Sequence, residues 1–190
     1  MPRKYKQNEV VNGYKIRRDE FFHAGLMALS YAADAVDGSR VFFKQYKSPT
    51  PTVSWYKKYI DYQKEIKKRI ESDHIANEFC YNMLDYFEHP GSTKKSNNFH
   101  QIFEWVSASE DLEKVLDKVK QRKGPNFEQR LILAKRMMGG ITNLHRAGVI
   151  HCDLKPANIQ LIKDPSIAAG YKLILIDMDC INYLICSNSE

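Results

Sequence analysis

The stretch that most constrains this chain is "HCDLKPAN", residues 151–158. Gly148 stands just ahead of it and Pro156 lies inside it, so the segment reads as a loop that ends a helix rather than as its continuation. Six consecutive positions, Asp153 to Asn158, hold a carboxylate, an amine and a carboxamide. Three unlike polar groups aimed by one loop between regular elements is the way chemistry is usually placed on a fold.

The flanking sequence falls into two halves. From Gly13 to Tyr46 it reads as strands and turns: "YKIRR", "GLMALSYAA", the Asp37-Gly38 turn and the run "VFFKQY". After Pro49 and Pro51, Tyr56, Tyr59, Ile60, Ile66 and Ile70 recur at three- and four-residue offsets, which predicts a helix from Val53 to about Ile70. "CYNMLDYFE" and "FHQIFEWV" predict two more antiparallel strands, separated by the polar stretch His89 to Asn98. "SEDLEKVLDKVK" then predicts a short amphipathic helix capped by Ser109. Phe127, Leu131, Ala134, Met138, Ile141 and Leu144 mark the apolar face of a longer helix. The strand "NIQLI", a turn at Asp164-Pro165 and the apolar "LILI" before Asp177 complete the pattern. A sheet-rich first half and a helical second half give an α+β arrangement, with a seam near Val106 to Ser109 that would suit a small molecule.

Composition narrows the class. With 190 residues, 43% hydrophobic and 27% charged, the chain suits a globular domain with a real core. Cys80, Cys152, Cys180 and Cys186 form no CxxC pair, and there is no basic leader followed by an apolar core, so a reduced, cytoplasmic setting is expected. No run approaches the roughly 18 apolar residues of a membrane span. The net charge of +6 gathers in "PRKYK" and "KEIKKR", which read as a frayed basic tail and a solvated helix face rather than a nucleic-acid groove.

"HCDLKPAN" resembles the catalytic loop of the protein kinases, His-Arg-Asp-Leu-Lys-Pro-x-Asn, with Cys152 in place of the arginine. The resemblance implies an antiparallel N-lobe with one long helix, over about residues 1–106 with 1–12 as a basic tail, and an incomplete, mostly helical C-lobe over 107–190. It implies ATP and Mg²⁺ as cofactors. Asp153 would orient or accept the proton of a substrate hydroxyl, and Lys155 would neutralise charge on the moving phosphoryl group. Asn158 would offer a neutral oxygen to magnesium, a hard cation. His151 would be a hydrogen-bonded scaffold residue. "LIDMD" stands where kinases have Asp-Phe-Gly, so Asp177 would be the second metal ligand, with Asp179 as a rival and Met178 in the apolar role.

Upstream, "VFFK" resembles the Val-Ala-Ile-Lys strand, so Lys44 would hold the α- and β-phosphates. Its partner would be Glu65, 21 positions on, or Glu71. Phe42 replaces the small residue that normally faces adenine. Where the family has a glycine-rich loop, "DEFFHAGLMALSYAAD" offers only Gly25. "FHQIFEWVSASEDL" resembles the hinge, with Phe103 guarding the back pocket and Glu104 to Val106 meeting adenine. Loss of the arginine at position 152 implies that switching by an activation-loop phosphate is absent. Cys152 itself is expected to be buried and inert.

The resemblance covers about Gly13 to Asp179, and 13 residues follow Asp177. An activation segment and the helices beyond it do not fit in them, so the chain is expected to be a fragment or a minimal relative. Three functions stay open: a serine/threonine protein kinase, a pseudokinase that binds nucleotide or a partner, and a small-molecule kinase of the aminoglycoside or choline type. Lys155-Pro156 stands against the third, whose members typically lack that lysine. The nucleotide is the one partner implied; the protein acceptor and the oligomeric state are not specified.

Overall fold

The computed structural model describes residues 2–90, 97–178 and 182–183. Two compact units emerge. One is built from residues up to Tyr62 together with Asn82–Trp105; the other takes Gln63–Tyr81 and the residues from Val106 on.

The first unit is an antiparallel sheet of β1 (Val10–Val11), β2 (Tyr14–Ile16), β3 (Phe22–Ala24), β4 (Ala28–Asp34), β5 (Arg40–Tyr46), β6 (Met83–Pro90) and β7 (Asn97–Glu104). The strand order is β1-β2-β4-β5-β7-β6, with β3 also paired to β4. The Asp37-Gly38 turn joins β4 to β5 as predicted; Gly38 takes φ +82° and the Asp37 carboxylate accepts from the Ser39 amide and hydroxyl. Alternation along β5 and β7 sorts side chains onto two faces. Leu29, Tyr31, Ala33, Val41, Phe43 and Ile102 form one core with Tyr5, Val11 and Ile16. The opposite face carries Phe42, Lys44, Gln101 and Phe103, while Tyr46 and Phe99 pack there with Ala28, Tyr56 and Ile60. The strands β6 and β7 reach further than predicted, with His89 opposite Asn98 and Pro90 opposite Asn97.

The basic tail is not frayed where it was expected to be. Tyr5 is only 2% exposed; its amide donates to the Tyr31 hydroxyl and its own hydroxyl shares a 2.9 Å hydrogen bond with His100 Nε2. Arg3 pairs with Glu9. One aromatic among the charges of "PRKYK" seals the sheet's core, and the net charge of the segment concealed it.

α1 (Tyr56–Ser72) matches the predicted long helix, and its residues are shared between the two units. The second unit continues with α2 (His74–Phe79), β8 (Ser109–Asp111), α3 (Leu112–Lys120), α4 (Phe127–Arg146), β9 (Val149–Ile150), a 3-10 turn at Pro156–Asn158, β10 (Ile159–Lys163), β11 (Tyr171–Leu175) and β12 (Asn182–Tyr183). β8, β10 and β11 form an antiparallel sheet, and β12 pairs with β9. Ser109 does not cap α3: it lies in β8 opposite Ile162, and Asp111 caps instead, accepting from the Lys114 amide at 2.8 Å. α4 starts on a reciprocal cap between Asn126 and Gln129.

The predicted apolar face of α4 is only partly the buried one. Leu133, Gly140 and Leu144 are buried, whereas Phe127 is 70% and Met138 68% exposed. Gly140 is in close contact with the Phe79 ring of α2, leaving no room for a Cβ. That contact rotates the helix so that a second apolar stripe faces outward.

Candidate active site

The loop after β9 carries a polar network centred on Asp153. Asp153 Oδ2 accepts from Lys155 Nζ at 2.7 Å and from Asn158 Nδ2 at 3.0 Å, and Asn158 Nδ2 also reaches the Asp153 carbonyl at 2.9 Å. The 3-10 turn beginning at Pro156 produces this convergence, since it folds Asn158 back over Asp153. His151, 5% exposed, fixes the loop from beneath: Nε2 donates to the Ile176 carbonyl at 2.9 Å, and Nδ1 accepts from the Asp153 amide at 3.3 Å. The Ile176 amide in turn donates to the Asn158 carbonyl at 3.0 Å. Loop and the end of β11 are thereby laced together, as expected of a scaffold histidine.

Electrostatics fit this geometry. The Lys155 ammonium, helped by the Asn158 amide, holds the Asp153 carboxyl below the usual carboxylate range, while the Asp177 carboxylate pushes the other way. Asp177 therefore lies close enough to Asp153 for the two charges to be felt. Asp177 and Cys152 both adopt left-handed backbone, with φ +64° and +56°, a conformation uncommon for non-glycine residues. Met178 is buried. Asp179, the rival ligand, lies outside the described residues, as do Cys180 and Cys186.

Cys152 corrects an expectation: it is exposed, on a left-handed residue between buried His151 and Asp153. Cys80 is the buried thiol, and burial pushes its pKa up to about 12.

The donor set suits a hard divalent cation. Asn158 spends its Nδ2 on Asp153, and its Oδ1 accepts no hydrogen bond among the described residues. One neutral oxygen and the Asp177 carboxylate are of the hard-oxygen type that a magnesium ion would take beside phosphate and water.

In the first unit, Lys44 is buried on β5, with Ser30 of β4 and Gln101 of β7 directly opposite, and its Nζ lies 5.4 Å from the Tyr46 ring centroid. Ser30 and Gln101, both buried polar residues, escaped the sequence reading because only the strand register brings them beside Lys44. Phe42 lies opposite Phe103 and packs on Phe21, whose ring also meets Trp105. Gly25 sits between β3 and β4, its carbonyl accepting from Lys47, next to Leu26, which is 90% exposed. Glu104 ends β7, and its amide donates to the Asn82 carbonyl. In the second unit, Glu65 accepts from Arg69 at 2.8 Å, Glu71 pairs with Lys67, and Val106 is half-buried.

Fold and sequence together place the chain among proteins with a protein kinase-like architecture: an antiparallel N-terminal sheet with a helix, and a helical part that presents the loop. No family model matches the chain. Its sequence is 25% identical over 147 residues to mitogen-activated protein kinase 13 of Homo sapiens, covering 75% of this chain and 36% of that protein. It is 39% identical over 84 residues to cyclin-dependent kinase B1-1 of Arabidopsis thaliana, covering 40% of this chain and 26% of that one. Among solved structures it resembles WaaP in complex with acyl carrier protein, with a TM-score of 0.61 and 19% identity, over 85% of this chain and 61% of that chain. The chain thus spans about a third of the length of the curated kinases it matches.

Proposed function

We propose that this chain carries out ATP- and Mg²⁺-dependent phosphoryl transfer to a hydroxyl, with serine or threonine of a protein as the acceptor. One observation carries the reading: Lys155 and Asn158 both donate to the Asp153 carboxylate on a single loop, with the Asp177 charge acting on the same carboxylate. Phosphoryl transfer asks little covalent chemistry of a protein and much positioning.

In this reading Asp153, kept ionised by its neighbours, orients the acceptor hydroxyl and takes its proton. Lys155 leaves Asp153 and turns to the phosphoryl oxygens as charge develops there. Asn158 and Asp177 would hold magnesium through their oxygens, and the ion would supply charge neutralisation at the phosphates. Lys44 would hold the α- and β-phosphates with Glu65 as its partner, Gly25 would let the β3–β4 loop approach them, and Phe103, Glu104 and Val106 would meet adenine. The protein acceptor is favoured over a small molecule by Lys155-Pro156 and by the kinase relatives.

A second reading, a nucleotide- or partner-binding module with little turnover, is supported by the β3–β4 loop: it spans Gly25 to Met27 and has a single glycine for phosphate approach. A thermal-shift titration with ATP and Mg²⁺, paired with a transfer assay on a mixed protein acceptor, separates the two. Transfer lost in Asp153→Ala, with the ATP shift retained, supports the enzyme. A shift with no transfer in the unaltered chain selects the binding module, and transfer unchanged in Asp153→Ala removes Asp153 from the mechanism.

A further inference from the structure

α4 has two adjacent glycines in its interior, and only one is explained by packing. Gly140 is forced by the Phe79 ring, but a Cβ at Gly139 would meet nothing within 4 Å. Glycine is the poorest helix former after proline, so an exposed interior glycine with free space beside it is a liability unless the space itself is used. Gly139 borders a hollow of about 580 Å³ lined by α2, α4 and the β10–β11 hairpin, within the range of ligand sites. All of its lining belongs to the second unit.

The hollow has an apolar floor and a cationic rim. Phe79 and Leu173 are buried beneath it, with Ile75 and Ile167 at its sides. The side chains of Arg136, one turn ahead of Gly139 on α4, and of Lys172 on β11 make no hydrogen bond or ion pair among the described residues. Both lie near enough to Asp164 to help hold its carboxyl below the usual range, after the larger effect of its hydrogen bonds from Ser166. The one acid in the lining, Glu78, faces His74 on its own helix at 3.5 Å. Asn143 is tied back to the Gly139 carbonyl at 2.9 Å.

We propose that this hollow is a second ligand site, separate from the loop of Asp153, for a small amphiphilic anion: a flat apolar body lying over Gly139 beside Phe79, with a carboxylate, sulfonate or phosphate held by Arg136 and Lys172. The absence of a side chain at Gly139 leaves room for the body, and the two cations select the charge.

Anilinonaphthalene sulfonate, an aromatic body with one anionic group, is the probe. Its fluorescence titration on the whole chain saturates at one site, and Arg136→Glu and Lys172→Glu each weaken that binding about tenfold or more. Gly139→Leu fills the hollow and abolishes binding while leaving the thermal midpoint unchanged or higher, since leucine is the better helix former; Gly139→Ala raises the midpoint and serves as the folding control. Equal titrations in the unaltered chain and Gly139→Leu overturn the proposal, as does the lack of any saturable binding. Displacement of the dye by inorganic phosphate with Gly139→Leu still binding it also overturns the proposal, because it reduces the site to surface cations.

Discussion

At the scale of single residues, the Asp153–Lys155 pair sets what the loop can do. A carboxylate two positions from an ammonium on a turn is held in its ionised form, the form in which the proposed transfer would have it accept a proton. The loop and the residue types it brings together were legible because Gly148 and Pro156 punctuate it in the sequence itself. The exposure of Cys152 was not, since it follows from a left-handed backbone that no local pattern announces. Replacing Lys155 by methionine removes the largest influence holding Asp153 down. The sign is fixed: the carboxyl titrates at higher pH in Lys155→Met. The acid limb of kcat/KM for transfer therefore moves upward, and carbon NMR of the Asp153 carboxyl reads the same shift without relying on turnover. A limb that stays in place would show that Lys155 does not tune Asp153.

At the scale of elements, long strands and helices were legible, and of the shortest elements β2 was read within "YKIRR" while β1, β3 and α2 were missed. α2 has six residues started by Asp73, too few for a periodic signal, and β1 and β3 are shorter still. The α3 boundary moved because Ser109 to Asp111 found strand partners in β10, a tertiary pairing that outweighs a local cap preference. Asp111→Ala should therefore cost about 1 kcal/mol through the lost cap, and Ser109→Ala less than about 0.5 kcal/mol. Urea midpoints of the two variants measure the difference, and the reverse order would restore Ser109 as the cap. α4 shows why periodicity alone misassigns a face: apolar residues lie on two sides, and the Gly140–Phe79 contact chooses between them. Leu144→Ala, at a site 1% exposed, should cost about 2–5 kcal/mol, whereas Met138→Ala on the open stripe should fall within about 0.5 kcal/mol. Comparable losses at both positions in chemical denaturation would contradict the observed face.

At the scale of the whole molecule, the core of the first unit is closed by residues far apart in sequence, and this is what a linear reading sees least. Tyr5 and His100 are 95 positions apart, and nothing local to either announces the hydrogen bond they share. His100 is fully buried: its ring stacks on Phe87 at 4.9 Å, meets Phe43 edge-on at 5.4 Å and has His89 6.2 Å away. Burial, with a smaller push from His89, drives its pKa down to about 3. In the unfolded chain the same histidine titrates near its ordinary value of 6.5. Between those two values the unfolded state binds a proton that the folded state refuses, so stability is full above about pH 6.5 and falls as the pH drops, by up to ~1.4 kcal/mol per pH unit. Most carboxylates titrate lower, so the interval from about pH 7.5 to about pH 5 isolates the histidines. His100→Phe keeps the ring stack and removes the titrating nitrogen, at the expense of the Tyr5 hydrogen bond. It should lower stability at neutral pH yet flatten the slope of unfolding free energy against pH over that interval. An unchanged slope would mean that the acid sensitivity of this fold resides elsewhere.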